Sequence, residues 1–116
     1  MTEISDTQII DLSCLEEYTD GDPDAIRELV EVFHETASEA LGLLEENICE
    51  GENTAWSDAA HKLKGASSYL GAEQLRSLCS DAQEMKTGSL EERTELYRQI
   101  EKAYANVCAA LKEIDA

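Results

Sequence analysis

Apolar residues in this 116-residue chain recur every three or four positions, almost without pause, from Ile26 to Ile114. That spacing gathers them on one face of an α-helix and scatters them over both faces of a strand. The pattern breaks near Gly51, Gly71 and Gly88, each where one periodic segment gives way to the next, as helix-ending glycines do. Amphipathic helices joined by short links pack as antiparallel neighbours. The spacing therefore predicts an all-α chain, an up-down antiparallel four-helix bundle with a short N-terminal helix from "IIDLSCLEEY". One domain is expected over residues 1–116, with long helices at approximately 22–50, 54–70, 72–87 and 89–114. A single proline and abundant Ala, Leu and Glu agree with that choice.

Local signals mark the helix ends. Asp22 is a suitable N-cap, and Pro23 at the first helical position gives up no needed hydrogen bond. The stripe that follows is Ile26, Leu29, Val30, Phe33, Ala37, Leu41, Leu44 and Ile48. The second helix carries Trp56, Ala59, Ala60, Leu63, Ser67 and Leu70 on its apolar side, and the third carries Leu75, Leu78, Cys79 and Ala82. "SLEE" opens the fourth as a capping box of Ser89 with Glu92. Its stripe is Tyr97, Ile100, Tyr104, Val107, Leu111 and Ile114.

Charge narrows the range of partners. The formal net charge is −17, yet 42% of the residues are hydrophobic, enough for a packed core. Residues 1–60 hold 17 acids and one base, Arg27, whereas residues 61–116 hold nine acids and eight bases. Such a surface repels phosphate backbones and anionic lipid, which excludes nucleic acid and membranes as partners. Lys62 and Lys64 stand out as a small positive spot. Cys14, Cys49, Cys79 and Cys108 form no CxxC pair, and Cys79 and Cys108 read as small buried hydrophobes. The polar, acidic start "MTEISDT" is no signal peptide and no apolar run approaches a membrane span, so a reduced, cytoplasmic protein is expected. Met1 and the early start of the domain suggest a free-standing protein.

In the segment "AHKLKGASSYLGA", His61 projects about 160° away from the centre of its helix's apolar stripe. It shares that outward face with Ser57, Asp58, Lys64, Gly65 and Ser68. A solvated face has no reason to keep an interior glycine, which weakens a helix by about 1 kcal/mol relative to alanine. Bare backbone one turn after His61 leaves room for a bulky group on the imidazole or for an approaching partner. Lys64 is placed to neutralise an anion on that ring. Together they suggest a histidine that carries a phosphoryl group. His34, at the border of the first stripe, has no such company and reads as structural, as do Tyr97 and Tyr104.

The same segment resembles the signature of histidine-containing phosphotransfer (HPt) domains of phosphorelays, matched at His61, Leu63, Lys64, Gly65, Ala66, Ser67, Leu70 and Gly71. The family's helical bundle agrees with the periodicity over nearly the whole chain. The resemblance implies that His61 accepts phosphoryl from a receiver-domain phosphoaspartate and passes it to another receiver. Lys64 would stabilise the phosphoryl oxygens, Gly65 would admit the receiver's loops, and Ser68 and Gln83 would supply supporting hydrogen bonds. Gln83 stands where the family often has a glutamine on the next helix. If the hairpin turns at Gly71, His61 falls level with about residue 81. A turn near Glu52 would set His61 opposite about residue 43, so Leu43 and Val32, both off the first stripe, are candidates for an apolar docking surface, with Lys62 beside them.

No nucleotide loop is present and no acidic cluster beside His61 resembles a metal pocket, so the expected role is a phosphocarrier without kinase activity or intrinsic cofactor. Mg²⁺ would come with the receiver. The implied partners are response-regulator receiver domains and a hybrid sensor histidine kinase, and the family implies a monomer. Two other readings share parts of the pattern. A histidine-kinase dimerisation domain would follow its histidine with an acid, but here Lys62 follows His61. A degenerate module would bind a receiver without carrying phosphate, and intact His61, Lys64 and Gly65 argue against it.

Overall fold

The computed structural model describes residues 9–48, 54–85 and 89–115, and every regular element among them is helical. The helices are α1 (Leu12–Thr19), α2 (Pro23–Glu46), α3 (Thr54–Tyr69), α4 (Glu73–Glu84) and α5 (Leu90–Asp115). α2 packs on α3, α3 on α4, α4 on α5, and α5 returns to α2, which closes a four-helix bundle. The short α1 lies against α2 and α3 at one end. The all-α bundle with its short leading helix is the expected architecture. No helix among the described residues is long and apolar enough to cross a membrane.

The expected caps form. Asp22 Oδ1 accepts from Asp24 N at 3.1 Å ahead of Pro23. Ser89 and Glu92 exchange reciprocal bonds, Ser89 N to Glu92 Oε1 at 3.2 Å and Glu92 N to Ser89 Oγ at 3.1 Å. Two helix ends fall earlier than the periodicity suggested. α2 stops at Glu46, where Asn47 caps it and its Nδ2 donates to the Leu43 carbonyl at 2.7 Å. α4 stops at Glu84. Met85 N closes the end by bonding Ala82 O at 3.1 Å, and side chains from the start of α3 add to the late carbonyls of this turn. Trp56 Nε1 donates to Ala82 O at 2.8 Å and Ser57 Oγ to Gln83 O at 3.0 Å.

The core is built from the predicted stripes. Phe33, Ala37, Leu44, Trp56, Ala59, Ala60, Leu63, Leu70, Leu75, Cys79, Ala82, Ile100 and Val107 are buried. Tyr97 is buried with them, whereas Tyr104 is half-buried; Cys49 and the Ile114 side chain lie outside the described residues. Cys79 is an inert core thiol: burial pushes its pKa up to about 12 although Lys64 pulls it back. Cys108 departs from expectation, being only half-buried, 4.0 Å from His34 Nδ1. No disulfide joins the described cysteines. Arg93 was not foreseen as a core residue. It is fully buried, donates to Met85 O at 3.2 Å and lies 5.7 Å from the centroid of the Trp56 ring.

α3 ends in a Schellman motif, with Ala72 N bonded to Ser67 O at 3.0 Å and Gly71 N to Ser68 O at 3.2 Å. Gly71 adopts φ +64°, and Asp11 N donates to Leu70 O at 2.9 Å beside it. A Cβ on Gly71 would overlap the Asp11 side chain and come within 3.0 Å of its backbone nitrogen. Gly71→Ala is therefore expected to destabilise the fold by about 2–4 kcal/mol, from left-handed strain plus overpacking, measured by urea unfolding.

Candidate functional site

The buried stripe of α3 sets the rotational phase of the helix, and the phase decides what faces outward. Leu63, Ser67 and Leu70 point into the core, so His61, Gly65 and Ser68 emerge on the opposite side, all exposed. Lys62 leans toward α2, where its Nζ lies 3.6 Å from Glu39 Oε1, with both side chains more than half exposed. Such a pair adds little stability. Lys64 is half-buried on the α4 side, near enough to Cys79 to act on its thiol. The two lysines thus flank His61 on opposite sides.

Gly65 has no atom within 4 Å of the position a Cβ would take. Packing does not require glycine here, and the space over this turn is open. Ser68 Oγ donates to Lys64 O at 3.1 Å, which leaves its lone pairs facing outward. Ser57, expected on the outward face, is instead buried in the seam with α4.

Both inter-helix levels differ from the simple hairpin construction. The Trp56–Ala82 and Ser57–Gln83 bonds bring His61 level with Cys79, so the Gln83 backbone lies one turn away, beside Ser57. Side chains tilt toward the helix N-terminus, which leans half-buried Gln83 back toward the level of His61. Among the described residues no hydrogen bond joins the two side chains. On the other flank, α2 ends four residues before the expected position, and the pivot moves with it. His61 consequently stands opposite Ala40 rather than Leu43, as the Lys62–Glu39 pair records.

That shift separates the two candidate docking residues. Val32 is 56% exposed and lines an open groove of about 400 Å³ between α2 and α3. Leu29, Phe33, Thr36, Gly65, Ala66 and Tyr69 complete the lining. Leu43 is half-buried against the core and does not line the groove. Tyr69 was missed at the sequence level, although it lies four residues after Gly65 on the same helix side. Its ring meets that of Tyr18 on α1 edge-on, at 4.9 Å between centroids and 72° between planes.

His34 lies elsewhere, between α2 and α5. Its Nδ1 is 3.0 Å from Tyr104 Oη, and both side chains are half-buried. Burial and the adjacent Cys108 raise the Tyr104 phenol above its ordinary pKa. A packed imidazole bonded to a phenol agrees with a structural role for His34.

Residues 28–110 match the family model described as the Hpt domain. Among solved structures, the chain is similar to histidine phosphotransferase ShpA from Caulobacter crescentus, with a TM-score of 0.66 and 24% sequence identity. That alignment covers 92% of this chain and 91% of the other, and the likeness is one of fold. The curated proteins contain no match. Because no neighbouring atom crowds the Gly65 site, Gly65→Ala should raise stability by about 0.5–1 kcal/mol in urea unfolding, the opposite sign to Gly71→Ala.

Proposed function

The chain belongs to the Hpt domain family, and from that premise we propose that it is a phosphocarrier whose acceptor is His61. The observation that carries this reading is the pairing of an exposed His61 with open space over Gly65 one turn later. An exposed neutral imidazole is nucleophilic near neutral pH. In the proposed step the Nε2 lone pair attacks the phosphorus of a receiver phosphoaspartate. The P–O bond to the aspartate breaks, and the carboxylate leaves with the electron pair. Onward transfer to a second receiver reverses these bond changes.

Lys64, on the α4 flank, is the candidate for stabilising the phosphoryl oxygens. Ser68 offers hydroxyl lone pairs, which suit a donor on the partner better than a phosphoryl oxygen, unless the hydroxyl turns from Lys64 O. Gln83 would reach the site by the backward tilt of its side chain. Lys62 and Val32 are candidates for partner contact, with Leu43 a contributor only at the far side of His61. Asp58 is a single carboxylate one turn before His61, too few ligands for Mg²⁺, so the metal is assigned to the receiver, where it neutralises charge on the transferring group. The carrier acts between receiver domains in the cytoplasm, as a monomer, one of them belonging to a hybrid sensor kinase, and has no kinase activity of its own.

Incubation with a phosphorylated receiver tests the proposal. Acid-labile, alkali-stable label is expected on the wild type and absent from His61→Gln. Absence of label on the wild type with every competent receiver would leave a binding-only module. Gly65→Gln should keep the fold yet slow transfer on the order of 100-fold, because reacting atoms held about 1 Å out of place lose that much. An unchanged transfer rate would refute the steric role of Gly65.

A further inference from the structure

Val32 and Tyr69 are large apolar side chains left 56% and 46% exposed, and both border the α2–α3 groove. Singly exposed apolar residues are ordinary. These converge, and Tyr18, 60% exposed, extends the apolar surface beyond Tyr69 onto α1. The surface begins at Gly65, one turn from His61, and runs away from it toward the start of α2.

Its border is acidic. Glu28 and Glu35 lie one turn to either side of Val32 on the solvent side of α2, and both are exposed. Glu16 and Glu17, also exposed, stand beside Tyr18. The ion pairs Arg27–Asp24, Lys62–Glu39 and Arg76–Glu73 involve none of these four glutamates. The lysines of α3, Lys62 and Lys64, stand beside His61 rather than along this border, and Arg27 of α2 is paired with Asp24.

Resting on the phosphocarrier reading, we infer that the α2–α3 groove selects its receiver by charge: the occupant is an apolar ridge of the receiver flanked by lysine and arginine side chains. The apolar ridge covers Val32 and Tyr69, and the flanking cations meet Glu28 and Glu35. An acidic docking face is rejected by like charge, which costs more than a neutral mismatch. A second copy of this chain is a poor occupant, since it would set one acidic border against another at a net charge of −17 each.

The test uses a receiver domain that labels the wild type after its own phosphorylation by acetyl phosphate. Phosphoramidate, a small donor that requires no docking surface, reports separately on His61. Wild-type affinity for the receiver should fall about tenfold between 50 and 300 mM NaCl. The double variant Glu28→Lys, Glu35→Lys should bind about tenfold more weakly at 50 mM NaCl and lose most of the salt dependence. Its labelling by phosphoramidate should be unchanged. Tyr18→Ala should weaken receiver binding about threefold or more without altering phosphoramidate labelling. Equal or tighter binding by the lysine variant overturns charge selection while leaving the phosphocarrier intact. A dimer in sedimentation that Val32→Arg dissociates assigns the groove to a second copy and also overturns it. A wild type labelled by neither donor overturns the phosphocarrier reading itself.

Discussion

α3 has to bury one stripe against three neighbours while leaving the opposite stripe bare, and the rest of the molecule follows from how it does so. Trp56, Ala59, Ala60, Leu63, Ser67 and Leu70 are all buried. Three of them are alanines or serine-sized at the closest approaches, which lets α2 and α4 pack tightly on either side. Tight packing allows no rotation of α3 about its axis. His61 is held outward by the volume of Leu63 and Leu70 on the far side, with no side-chain hydrogen bond among the described residues. Loss of the stripe would cost the fold and the orientation of the histidine together.

The second constraint acts at the end of the same helix. Gly71 is in the left-handed region with the backbone of Asp11 pressed against it, and the Asp11 N to Leu70 O bond draws the start of α1 across the end of α3. Ser13 N is capped by Asp11 Oδ1 at 2.9 Å, so the residue that seals α3 also starts α1. This corner carries Tyr18 to Tyr69. One close backbone approach thereby links a folding feature, the glycine turn, to the aromatic end of the groove.

The helices and the phase of α3 were legible because hydrophobic periodicity reports rotation about a helix axis directly. His61, Lys64, Gly65 and Ser68 were found on one side of one helix, where such reasoning is strong. Levels between helices were less legible, since they depend on where each turn pivots. Asn47 ends α2 four residues early, and no periodicity announces it, because Ile48 still fits the stripe. That single cap moved His61 from Leu43 to Ala40 and divided the candidate docking pair. Arg93 was overlooked for a different reason. It stands three and four residues before Leu96 and Tyr97, in phase with the α5 stripe, but a cation in an apolar phase is easily dismissed as a flank. Its burial depends on an aromatic face and a helix-end carbonyl supplied by other elements.

Gly65 belongs to two surfaces at once. It lines the groove with Thr36 and Tyr69, and it is the turn next to His61. A side chain there intrudes toward the imidazole and narrows the groove in the same act, so substitution at Gly65 by itself does not separate steric exclusion of a phosphoryl donor from loss of partner contact. The separation lies across the helix. Lys64 lies on the α4 side and does not line the groove, whereas Val32 sits on α2 and lines it. The cationic spot and the acidic border are likewise divided, with charge suited to a phosphate near His61 and charge suited to a basic protein surface farther along. Under the proposed function, recognition and chemistry would be kept distinct in this way, by falling on different sides of one exposed helix.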